Sequence, residues 1–244
     1  MLKIDSNNKC TRPTFSSNYR MVILDKGKFY QNTTTFFRPD MNWGGLVELL
    51  ANKYKNVNKV NVFNMACSDG SEPFTLAISL MEKFGKNAKK FFPIKATDMD
   101  RTIINRAKNE RCNLSEADLL RLYNATDGDF SNYFHFYRTD DLHYPFTVKA
   151  TNKLSENIQF NVAKIMDEVK NIPAENSIVL CRNCWVYMNH SDQFALAEEL
   201  SRRLAPSSLV LLGSLENSYG HSKILEQFGF RMTDVKNVYS KFGG

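Results

Sequence analysis

Short apolar runs alternate with amphipathic stretches along this chain, a pattern of buried strands and the helices that cover them. Residues 60–66 form the first strong run, apolar and β-prone, and Asp69-Gly70 breaks it. From Glu72 onward, Phe74, Leu76, Ala77, Ile78 and Leu80 suit a helix packed on a sheet; Pro73 sits near its start, where a missing N–H costs nothing. The alternation continues with a strand at 93–97, a helix at 101–108, strands at 158–163 and 176–180, a helix at 193–204 closed by Pro206, and a strand at 209–213. Upstream, residues 43–54 place Leu46, Leu49 and Leu50 on one helical face. A further helix begins within 114–120, with Ser115 as its cap and acids in its first turn. Residues 228–232 and 235–239 read as a terminal hairpin. Between 124 and 155 the period changes. The stretch 124–132 is turn-rich, 133–138 and 146–150 are strand-like, and Asp140-Asp141 and Tyr144-Pro145 are turn signals. The pattern predicts a doubly wound α/β sheet over residues 31–244 with a small antiparallel β insertion at about 124–155. Residues 1–30 are polar and irregular, with 21–24 the one β-like run, and read as an extension lying on that domain.

A strand, a tight Gly turn and a helix N-terminus form the cofactor corner of such a sheet. Here the small residues Ala66, Ser68 and Gly70 let a ligand approach the backbone. The corner has one Gly rather than three and lacks the GxxxxGK[ST] pattern, so it is a poor dinucleotide fingerprint and no P-loop. Glu72 stands where a pyrophosphate would be repelled. The next strand ends at Asp98-Met99-Asp100, and an acid in that place commonly takes ribose hydroxyls. An adenosine without phosphate, carrying a cation, points to S-adenosylmethionine. Acidic turns after strands are also common solvated features, so the bare pattern leaves both readings open.

Composition narrows the class. Hydrophobic content of 43% and charged content of 24% over 244 residues belong to a soluble globular chain large enough for a sizeable core. No apolar run approaches the ~20 residues of a membrane span, so no membrane insertion is expected. The first ten residues carry no apolar signal region. Five scattered cysteines predict a reduced, cytoplasmic protein. The net charge is +6, with Lys83, Lys86, Lys89 and Lys90 the main cluster; this reads as a solvated helix end rather than a nucleic-acid surface.

Two further stretches carry candidate chemistry. In 32–40, Thr33, Thr34 and Thr35 precede Phe36-Phe37-Arg38: either a buried aromatic anchor with an exposed Arg, or a loop whose hydroxyls and guanidinium reach a ligand. Cys181 and Cys184 have the spacing of a zinc or redox half-site, but there is no second CxxC and no His at ligand spacing, so no metal is expected. They read as small residues packed at a strand end, with Arg182 and Asn183 exposed at the sheet's carboxyl edge.

Five blocks together resemble the CheR family, the chemotaxis receptor glutamate methyltransferases that use S-adenosylmethionine. Residues 32–38 match N-x-T-x-F-F-R, 66–74 match A-C-S-x-G-x-E-P-[YF], and 96–100 match A-[ST]-D-[IM]-D. Residues 181–187 match C-R-N-x-x-x-Y and 213–217 match G-x-x-E-N, in the family's order. The resemblance, over about residues 30–240, implies a class I methyltransferase sheet and methyl transfer to a protein glutamate. It implies that Asn32, Thr34 and Arg38 line the methionine end of the cofactor, that Glu72 contacts its amino-acid portion, and that Asp98 takes the ribose. Ala66, Arg182 and Asn183 complete the pocket, and Arg38 and Tyr187 stand beside the transferred methyl. Lys164 replaces the family's usual Asn near the adenine, with Ile165 beside it among the cofactor contacts. The partner implied is a protein carrying an acceptor glutamate, a chemoreceptor among the candidates. Methylation of another acceptor, or a non-catalytic regulatory domain that keeps the cofactor, are the rival readings. Family members usually begin with a basic helical domain, and some bind a receptor tail by adding a strand to the insertion. Residues 1–30 are too short and irregular for that domain, so weak methylation of ordinary receptors is expected.

Overall fold

A computed structural model describes residues 21–24, 28–31, 34–109, 111–140, 142, 143 and 145–242. The expectations for residues 1–20, for Asn32 and for the turn residues Asp141 and Tyr144 lie outside them. The described chain opens with the antiparallel pair β1 (Met21–Leu24) and β2 (Lys28–Gln31). Helix α1 (Trp43–Lys53) starts where the Asn42 side chain accepts the Gly45 N–H at 2.9 Å, and it buries Trp43, Leu46, Val47 and Leu50. Strand β3 (Asn61–Met65) and helix α2 (Ser71–Phe84) follow, then β4 (Ile94–Asp98) and α3 (Arg101–Lys108). Asp100 caps α3 by accepting the Thr102 N–H at 2.8 Å.

The excursion from the parallel sheet holds β5 (Arg111–Leu114), α4 (Glu116–Ala125), β6 (Phe134–Arg138) and β7 (Phe146–Ala150). Ser115 and Asp118 form a capping box at the start of α4. The three strands pair antiparallel in the order β5-β7-β6. The apolar pattern did not reveal β5, because a four-residue strand between two helices offers only Cys112 and Leu114 as buried positions. The main sheet resumes through α5 (Asn152–Ser155), β8 (Ile158–Val162), α6 (Ile165–Glu168), β9 (Ser177–Cys181) and α7 (His190–Arg203). It closes with β10 (Leu209–Leu211), α8 (Ser214–Ser218), α9 (His221–Gln227), β11 (Phe230–Met232) and β12 (Val238–Lys241). The second hairpin strand falls after Val235, which stays in the connecting turn.

Seven strands lie in the order β11-β12-β10-β9-β3-β4-β8. The five from β10 to β8 are parallel, and β12 runs antiparallel to its neighbours. The chain moves from β3 outward to β8, then returns to place β9 on the other side of β3. That reversal opens a crevice at the carboxyl ends of β3 and β9, the usual ligand site of an open α/β sheet. Two cores cover the faces: Val62 joins α1 and α2 in one, while Phe63 and Met65 join α7 and Trp185 in the other. Among the described residues, no helix is long and apolar enough to cross a membrane.

Phe36 ties the segment before α1 to the small sheet. It is fully buried, meets Phe134 edge-on at 5.4 Å, donates its N–H to Asp118 Oδ1 at 3.1 Å and accepts from Arg121 Nε at 2.9 Å. Phe36→Ala leaves a cavity and is expected to cost about 3–5 kcal/mol of unfolding free energy, read by denaturant titration. A loss below about 1 kcal/mol would contradict this packing.

Candidate active site

The chain leaves β3 in an unusual curl. Ala66, Ser68 and Gly70 all take left-handed backbone angles, with φ of 54°, 52° and 93°. For Ala and Ser this conformation is strained, and it persists where surroundings hold it. Cys67 N–H donates to Thr97 O at 2.9 Å, and Ser68 N–H donates to Asp98 Oδ2 at 3.0 Å. Asp69 Oδ1 receives the Ser71 N–H at 3.0 Å and its hydroxyl at 2.7 Å. A Cβ on Gly70 would stand 3.0 Å from the Phe160 ring, so the turn is tight against the core as well. The curl leaves the Ser68 hydroxyl and Asn64 Oδ1 buried and without a hydrogen-bond partner. Two orphaned, buried polar atoms are the mark of a site built for a polar ligand.

Asp98 closes one side. Its Oδ1 accepts the Asp100 N–H at 2.9 Å. Burial pushes its carboxyl above the ordinary range, although the Asp100 and Ser68 N–H groups pull the other way. Glu72, in the first turn of α2, accepts from Asn64 Nδ2 at 2.6 Å. A carboxylate at that helix start excludes a phosphate and admits hydroxyls and a cation. The residues fit S-adenosylmethionine on these grounds: small residues at the curl, an acid, Asp98, at the end of the neighbouring strand, orphaned polar atoms and no phosphate cradle.

The loop after β9 closes the other side. The sequence reading expected Arg182 to be exposed; the structure corrects this, for its side chain is 0% exposed. One guanidinium nitrogen pairs with Glu72 Oε2, another with Asp40 Oδ1 at 2.6 Å, and the Trp43 ring covers it at 5.4 Å. Burial would lower its pKa, but Glu72 and Asp40 reverse that and hold it charged. Asn183 is partly buried with φ of 55°. Glu216, fully buried at the start of α8, anchors this loop. Its carboxylate accepts four backbone N–H groups, from Asn183 at 2.8 Å, Cys184 at 2.9 Å, Trp185 at 3.1 Å and Gly213 at 2.8 Å. The next turn, Trp185–Tyr187, carries Tyr187, and β2 lies beside it. Cys181 and Cys184 are packed thiols with sulfurs 3.4 Å apart, and contact with Cys181, together with burial, pushes the Cys184 thiol up.

The structure thus brings Ala66, Glu72, Asp98, Arg182 and Asn183 to one crevice. Arg38 joins them, partly exposed, with Nε 3.7 Å from Asp40 Oδ1. Thr34 is partly buried just before Phe36. Lys164 is exposed at the N-cap of α6, after β8, and Ile165 packs against the second core. Sequence reasoning assigned no role to Asp40 or Glu216. Asp40 stands two places after Arg38 with nothing to distinguish it from a solvated turn acid. Glu216 had two signals: it is the acid of the G-x-x-E-N block, and it stands three residues into a helix that opens after Gly213.

A family model described as "CheR methyltransferase, SAM binding domain" matches residues 32–233. The chain is 24% identical over 200 residues to the chemotaxis protein methyltransferase of Salmonella typhimurium, covering 82% of this chain and 64% of that one. It is 26% identical over 217 residues to the chemotaxis protein methyltransferase of Borreliella burgdorferi, covering 86% and 72%. The chain therefore spans about two thirds of the length of these relatives. Among solved structures it is similar to a TehB-like SAM-dependent methyltransferase from Corynebacterium glutamicum, with a TM-score of 0.43 and 9% identity over 82% of this chain and 87% of that one, too distant for anything to rest on.

Glu216→Gln sets an amide against backbone donors that need an acceptor. Each stranded N–H costs about 1–3 kcal/mol. The variant is expected to unfold at lower denaturant, with amide exchange rising first in residues 183–185. Unchanged protection there would show that Glu216 does not hold the loop.

Proposed function

The chain belongs to the CheR methyltransferase family, and from that premise we propose that it transfers the methyl group of S-adenosylmethionine to a glutamate side chain of a protein, forming a methyl ester. The observation that carries this reading is the cluster of Arg38, Asp40, Arg182 and Glu72 at the crevice between β3 and β9. Bound there, S-adenosylmethionine supplies a methyl group activated by its sulfonium. Asp98 takes the ribose hydroxyls, while Ala66 and Ser68 let the ligand lie against backbone. Asn32 and Thr34 line the methionine end, and Lys164 and Ile165 border the adenine. Arg182 acts through Glu72, holding that carboxylate toward the cofactor's amino group, and Asn183 completes the wall.

Arg38 is the partly exposed guanidinium of the group, suited to grip an acceptor carboxylate by two parallel hydrogen bonds. Tyr187 fixes the acceptor or the methyl with its hydroxyl. A glutamate is already ionised at neutral pH, so these residues need only align it and strip its water. A hydroxyl or protonated amine would need a base to remove a proton. Four buried free thiols among the described residues support a reducing cytoplasm as the place of reaction. A chemoreceptor is the acceptor class that the relatives' names suggest.

The product is expected to release volatile methanol in mild base after labelling with methyl-tritiated cofactor. Label that survives alkali would reject esterification. Arg38→Ala should slow transfer on the order of 100-fold, with cofactor binding falling much less.

Asp98 gives a pH signature. Its carboxyl titrates above the ordinary carboxylate value, so it gains a proton earlier than an exposed Asp as pH falls. S-adenosylhomocysteine affinity is expected to hold at neutral pH and drop on acidification through that raised value. Asp98→Asn should bind more weakly at neutral pH and lose this dependence in calorimetry. An unaltered acid limb in that variant would place the titrating group elsewhere.

A further inference from the structure

Arg38, Arg182, Asp40 and Glu72 meet at one side of the crevice, across from Asp98. Asp40 joins the arginines: its Oδ1 receives Arg182 at 2.6 Å and stands 3.7 Å from Arg38 Nε. The rest of Asp40 is fixed from other directions. Its Oδ2 accepts the Ser214 N–H at 3.1 Å, and its carbonyl accepts from Asn237 Nδ2 at 2.9 Å. Burial alone would raise its carboxyl, but Arg182, the Ser214 N–H and Arg38 outweigh it and hold it below the usual range. Asp40 is therefore a rigid, permanent negative charge, 142 residues from the arginine it pairs with.

The cofactor changes charge by one unit during the proposed reaction: a sulfonium before transfer, a neutral thioether afterwards. Without Asp40 the crevice would be one unit more positive beside the place a cation must occupy. The charge on Glu216 does not compensate, since four backbone N–H groups already share it. We propose that Asp40 is a specificity-determining residue: by balancing Arg38 and Arg182 it lets the crevice accept a sulfonium and sets the preference between S-adenosylmethionine and S-adenosylhomocysteine. This rests on the cofactor placement of the proposed function.

The test measures both dissociation constants by calorimetry on the full chain and its variants. Asp40→Asn keeps the shape and most hydrogen bonds but removes the charge. It is expected to weaken S-adenosylmethionine relative to S-adenosylhomocysteine by roughly fivefold or more, the scale of one unit charge acting on another in a partly desolvated site. Arg38→Gln removes the opposite charge and should shift the ratio the other way. That variant changes a partly exposed side chain, so it decides the matter if Asp40→Asn fails to fold. Equal weakening of both ligands by Asp40→Asn would make Asp40 merely structural and overturn the proposal. A ratio unmoved by Arg38→Gln would do the same. In either case wild-type binding leaves the cofactor reading standing, whereas wild-type protein that binds neither ligand overturns that reading and this inference together.

Discussion

A fully buried guanidinium is the constraint on which the crevice depends. Removing Arg182 from water is costly, and the cost is offset only by well-placed opposite charge. Asp40 and Glu72 supply it, one from the segment before α1 and one from the first turn of α2, while Trp43 covers the remaining face. Three stretches far apart in sequence must therefore come to rest together before the charge is satisfied. Loss of either acid would strand a buried cation, so the geometry at the ends of β3 and β9 is held tightly. That rigidity is what alignment of an acceptor, a methyl and a leaving sulfur requires.

Strained backbone gathers at the same place. Phe37, Ala66, Ser68 and Asn183 have φ of 45°, 54°, 52° and 55°, and all four lie at or beside the crevice. Among the described residues, the other non-glycine positions with positive φ are Asp127, Asn176 and Asn237, like Asn183 of types that tolerate it. Three of the four at the crevice are braced: Phe37 N–H by Thr75 Oγ1 at 3.0 Å, Ser68 by Asp98, Asn183 by Glu216. The braces hold the curl after β3 in its strained form.

Charge and shape then divide the labour. In the proposed function the carboxylates Asp98 and Glu72 select for hydroxyls and a cation and against phosphate, and the proposed role of Asp40 is to offset the arginines beside that cation. The thiols of Cys181 and Cys184, which have the spacing of a metal half-site, instead fill the strand end as apolar bulk. Among the described residues, no group of three or more His, Cys, Asp or Glu is placed to hold a metal ion.

Much of the fold was legible in the residues because burial is periodic. Apolar runs located β3, β4, β8 and β9, the apolar face of 43–54 located α1, a capping residue located the start of α4, and a strand–turn–helix with an acid in place of phosphate-binding glycines located the corner. Short blocks around Arg38, Glu72, Asp98, Arg182 and Glu216 identified the family. What the sequence could not determine was which of these charged residues face water. Arg182 looks like any polar residue at a strand end, and only the tertiary structure buries it, because its partners lie 110 and 142 residues away. Asp40 acquires a role for the same reason, as does β5, whose four residues become a strand only when β7 is there to pair with them. Local pattern decides which segments are strands and helices; long-range charge pairing decides which side chains make the site, since a buried charge is stable only once its distant partner has arrived.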